Sequence, residues 1–156
     1  MIQRKQTLYL LVAVILSVVA LTRPIAELAP VTMGANHVVY NLWVLVSNGM
    51  GAETDYSVSP LFVILLVATS LELITIFLYK HRPVQSRCCL GIMCLLLIWY
   101  VAYAALMVMM SEEYNAKWHF SWASCLPAAA LLLVFLARMG VNADEALVRR
   151  SERLRD

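Results

Sequence analysis

Two apolar runs, Pro60–Tyr79 and Cys88–Met110, are each long enough to cross a bilayer and are joined by a short polar stretch, Lys80–Arg87. No other feature restricts the fold so strongly. About 20 residues in helical form rise about 30 Å, the thickness of a hydrocarbon core. In lipid, a spanning segment must satisfy its own backbone N–H and C=O groups, so each run is expected to be a helix. The joint contains Pro83 and leaves few residues in which to turn, which makes the two runs an antiparallel hairpin. It carries Lys80, Arg82 and Arg87 and no acid. Short loops rich in Lys and Arg stay on the cytoplasmic side, so the joint is expected inside.

Two further runs flank this hairpin. The first begins after Arg4 and Lys5 and continues to Leu21. It has the outline of a signal peptide, but Leu21-Thr22-Arg23-Pro24 is no small-x-small cleavage site, so a retained helix is expected. The last run is Ser121–Met139, with Pro127 in its first turns, where it either starts the regular helix or kinks it. With 62% hydrophobic and only 14% charged residues, against about 25% charged in soluble domains, the chain is excluded from that class. The expected fold is an all-α integral membrane protein: one domain, 1–156, with four spans at about 6–22, 60–79, 88–110 and 121–139. Ten basic residues then lie inside (Arg4, Lys5, Lys80, Arg82, Arg87, Arg138, Arg149, Arg150, Arg153 and Arg155) against Arg23 and Lys117 outside, which places both termini in the cytoplasm.

The outer loop 23–59 is too apolar for a plain tether. Residues 38–47 are β-branched and aromatic on both alternating faces, Asn48-Gly49 is a hairpin-turn pair, and Glu53–Val58 suits a returning strand. A small β-hairpin is expected there, whereas Ser111–Phe120 reads as a short plain loop. Gly140 is expected to stop the fourth helix, and Asn142 with Glu145 to cap a separate short cytosolic helix in the tail 140–156. A large first outer loop with β character and a small second one resembles claudin-type bundles, though without the cysteine pair those loops use.

Few residues point to chemistry. The four cysteines include no C-x-x-C, and Cys88, Cys89 and Cys94 lie far from Cys125, so they read as apolar packing residues. His37, His81 and His119 are isolated, and no metal, nucleophile-elbow or phosphate-loop motif occurs. No cofactor is therefore expected, nor is an enzyme. Glu72 is the costly residue: a carboxyl within the second span must face the bundle interior and be protonated or paired. Depth counting sets Ser17 and Tyr100 near its level, a candidate intramembrane polar site.

MIQRKQTLYLL at the start, IFLYKHRPVQSR in the middle and ADEALVRRSERLR near the end resemble a family of small bacterial inner-membrane proteins known as domain-of-unknown-function family 4293. The resemblance implies four helices, a multi-pass inner-membrane location and no stated reaction. It marks the cytoplasmic side: Gln3, Arg4, Tyr79, Lys80, Arg82, Gln85, Asp144, Glu145, Arg149 and Arg153. Asp144 and Glu145 are expected to clasp Lys80 or Arg82 across the inner face, leaving the tail arginines for anionic headgroups or a protein partner. The function expected first is a non-enzymatic adaptor or structural protein working through that face. Its partners are the lipid bilayer and a cytosolic or membrane protein or a second copy, with no nucleic acid. The alternatives are a small transporter or ion-conducting protein using Glu72, and a membrane-embedded enzyme.

Overall fold

The computed structural model describes residues 3–31, 36–48, 51–80 and 82–153. Four helices carry the chain: α1 (Gln3–Thr22), α2 (Ser59–Phe77), α3 (Arg82–Glu113) and α4 (Leu126–Arg153). Each is long and apolar enough to cross a membrane. Leu8, Leu11 and Ile15 on α1, Val63 and Val67 on α2, Leu97 and Val101 on α3, and Leu132 and Leu136 on α4 all point away from the bundle. A soluble monomer does not present apolar surface on every helix; a lipid-facing one does. Between the helices, Leu10, Leu65, Ile92, Leu96, Trp99 and Val134 fill the core, and Ala13, Ala68, Ala130 and Ala137 allow close approach.

The joint is tighter than the apolar runs suggest. A 3-10 turn, Leu78–Lys80, ends α2, and α3 already begins at Arg82 rather than at residue 88. Pro83 lies in the first turn of α3, where its missing N–H would have had no helical partner anyway. Pro127 likewise opens α4, after a second 3-10 turn at Trp122–Cys125. At 32 residues α3 is about 48 Å long, so it outruns a hydrocarbon core of about 30 Å.

The expected separate tail helix is corrected. α4 continues without a break through Gly140 to Arg153. No described glycine has a positive φ, so Gly140 is not a helix-ending cap. A Cβ there would stand 2.9 Å from Gln6 Cγ. The residue is small because α1 and α4 meet at that point.

The all-α expectation is corrected as well, since a five-stranded antiparallel sheet closes one end of the bundle. Strands β1 (Ala26–Pro30), β2 (His37–Val39), β3 (Val44–Asn48) and β4 (Gly51–Asp55) follow α1, and β5 (Ala116–Phe120) follows α3. Their order is β4-β3-β2-β1-β5. The expected hairpin exists as β3–β4, with Asn48 opposite Gly51 and the turn itself outside the described residues. However, the apolar stretch 38–47 is two strands, not one. The chain reverses at Tyr40–Trp43, where Tyr40 N donates to Trp43 O at 2.9 Å. The break follows from Asn41, which is fully buried: its Nδ2 donates to Ala20 O at 2.7 Å and its Oδ1 accepts from Trp99 Nε1 at 3.1 Å. One amide thus satisfies a terminal carbonyl of α1 and the indole of α3. The second loop is also a strand: Asn115 takes a left-handed φ of 43°, which Asn tolerates, and β5 then pairs along β1 from Ala116 to Phe120.

Candidate functional site: a buried acid and a polar seam

The helix pairing turns Glu72 of α2 wholly inward; its side chain has no exposed surface. Ser17 Oγ of α1 donates to Glu72 Oε1 at 3.3 Å, so the fold brings these two residues together. Oε2 is buried and has no hydrogen-bond partner among the described residues. Thr69 and Thr75, one turn to either side, offer it nothing. Their hydroxyls are spent on Leu65 O at 2.8 Å and Leu71 O at 2.6 Å, as mid-helix threonines commonly are.

Tyr100 is not brought to this site. Its hydroxyl donates to Ser124 O at 2.7 Å, at the start of α4, and its ring meets Trp99 edge-on. A depth count that starts the third helix at residue 88 misplaces it: α3 begins at Arg82, so Tyr100 stands further toward the sheet end than the count allows. Trp99 stacks on Tyr103 at 5.2 Å, and Tyr103 in turn donates to Ile25 O at 3.2 Å, so these aromatics hold the sheet onto the helices.

At the opposite end, beside the joint, a seam of polar groups ties the four helices together. Gln85 Nε2 donates to Thr75 O at 3.3 Å, satisfying a carbonyl in the last turn of α2. Ser86 Oγ donates to Asn142 Oδ1 at 2.7 Å, linking α3 to α4. Gln6 Nε2 donates to Asp144 Oδ2 at 2.7 Å, a buried contact linking α1 to α4 directly beside Gly140. Gln85 and Asp144 are therefore placed in one structural unit, with Glu145 half-buried next to it. The side chains of Arg4, Lys80, Arg82, Arg149 and Arg153 lie outside the described residues. Asp144 is held by an amide of α1, which was not anticipated. Gln6, the polar residue near the head of the first apolar run, was the available signal.

Beyond these two sites, Arg138 Nε on α4 is the other buried side-chain atom without a partner among the described residues. The four cysteines are free, with Cys89 buried and Cys94 and Cys125 exposed. Among the described residues no group of three His, Cys, Asp or Glu side chains is arranged to hold a metal. At the sheet end, Tyr114 Oη donates to Asp55 Oδ2 at 3.2 Å and its ring faces His37 at 5.3 Å.

The polar residues thus join helices to one another, and it is against this geometry that the chain compares with known families. The family model described as Domain of unknown function (DUF4293) matches residues 2–154. The chain belongs to this family. No curated protein matches it. DUF4293 membership agrees with the four apolar helices and the three sequence motifs, and it brings no reaction with it.

Proposed function

We propose that this DUF4293 protein is a multi-pass protein of the bacterial inner membrane whose joint end faces the cytoplasm, and that it acts there as a non-enzymatic adaptor. The observation that carries the reading is the unbroken course of α4. It leaves the bundle as a continuous helix, tied at Asn142 and Asp144 to α3 and α1. A helix held in this way presents a rigid surface at little ordering cost on binding, which a floppy tail does not. Beyond the seam its sequence is basic, with Arg149, Arg150 and Arg153, a composition suited to an acidic protein surface. The interior filled by Leu10, Leu65, Ile92 and Leu96 favours this role over a conducting path.

The test is site-specific photocrosslinking in native membranes from Leu147, which is 56% exposed on α4. A discrete protein adduct is expected, weakened when Arg149, Arg150 and Arg153 are replaced by Gln. Adducts to lipid alone would overturn the adaptor reading.

A further inference from the structure

We propose that the Glu72 carboxyl, held between α2 and α1, is a proton-binding site that carries its proton at neutral pH. The inference is independent of the adaptor reading. Its ground is geometric. A carboxylate has about four lone-pair positions to satisfy, yet among the described residues this one is offered a single donor, Ser17 Oγ, at the long distance of 3.3 Å. Oε2 lies in the protein interior, and among the described residues no donor reaches it. Both threonine hydroxyls that flank it on α2 point back to their own helix.

The surrounding ionisable groups do not supply a counter-charge to that oxygen. Among the described residues of α1, α3 and α4, the ionisable side chains turned at least partly inward are Tyr9, Cys88, Cys89, Tyr100, Tyr103, Arg138, Asp144 and Glu145, and none of them hydrogen-bonds Oε2. An unpaired anion in such a place costs far more than the one unsatisfied hydroxyl that a neutral acid leaves. The neutral form therefore wins. Ser17 then donates to the carbonyl oxygen Oε1, and the proton resides on Oε2. The ligand of this site is a proton, bound between two helices and shielded from both faces of the bundle.

Infrared spectroscopy of the full chain in lipid nanodiscs reads the two forms separately. At pH 7 the carbonyl stretch of an un-ionised carboxylic acid, read in the difference spectrum between the parent and Glu72→Gln so that lipid esters and the other acids cancel, reports Glu72. We expect that band in the parent and its complete loss in Glu72→Gln. In Ser17→Ala it should persist at higher frequency, because the hydrogen bond to the carbonyl is gone. Should Glu72→Gln fail to fold, a glutamate-labelled parent carrying ¹³C must show the same band displaced by the isotope. A parent spectrum lacking the acid band at pH 7, or a band that Glu72→Gln leaves in place, overturns the proposal.

Discussion

Tyr114 shows how much one hydroxyl can decide at the sheet end. It sits just past α3 and donates to Asp55, the last residue of β4, so it closes the sheet back onto the bundle. Burial, the Asp55 charge and the hydrogen bond to Asp55 all disfavour the phenolate and push its pKa above the ordinary tyrosine value. The sign follows: the contact contributes fully below about pH 10 and is lost as pH rises through the raised value. Tyr114→Phe should cost about 0.5–1.5 kcal/mol in thermal or denaturant unfolding near neutrality, and the difference from the parent should shrink in strong alkali. A difference that grows with pH would contradict this account. Glu72 is the contrasting case. Glu72→Gln and Glu72→Leu should both keep the fold and the melting temperature in detergent, because a buried neutral acid with one long hydrogen bond contributes little. Proteoliposomes of the parent and of Glu72→Gln should leak protons at the same rate; a leak present only in the parent would assign Glu72 to conduction instead.

Among the elements, α4 departs most from what its sequence suggests. Gly140 and Asn142 have the composition of a stop and a restart, yet the helix runs through both. Tertiary contact overrides the local signal because Gly140 admits Gln6 and Asn142 receives Ser86. Gly140→Ala is therefore expected to destabilise despite alanine's better helix propensity of about 1 kcal/mol, since its Cβ displaces Gln6 from Asp144 and strands a buried carboxylate. The double mutant with Gln6→Ala should lose little more than Gly140→Ala alone. Unfolding of the four proteins in a mutant cycle checks this; simple additivity would mean that the two residues do not act through one contact. Asp144→Lys should open the end of α4 to protease, because it removes the acceptor of the buried bond from Gln6. Charge reversal at Lys80 and Arg82 in the same protein then tests the expected clasp: restored protection supports it, and cleavage as fast as in Asp144→Lys alone contradicts it.

For the molecule as a whole, the sheet and the joint lie at opposite ends of the bundle, so orientation has a direct experimental signature. With ten basic residues assigned to one side and two to the other, the sheet should face outward. In a cysteine-free background, single cysteines at Thr54 or Asn115, both exposed, should react with an impermeant reagent added to intact cells. One at Ser151 should react only after permeabilisation, and labelling of Ser151 in intact cells would invert the topology. The sequence by itself determined the four long apolar helices, the close joint between the second and third, and the chemistry of that joint. These depend on hydrophobic length and charge, which are local and additive along the chain. Depth counting sets both Ser17 and Tyr100 near Glu72, and of the two the fold brings only Ser17 into contact with it. Only the tertiary structure decided the rest. β1 and β5 come from separate loops, and their register depends on pairing across most of the chain. Asn41 breaks a strand because a helix carbonyl and an indole wait for its amide. Gly140 stays helical because another helix lies against it. In each case the deciding partner is far away in sequence, and no local propensity can report a contact that only folding creates.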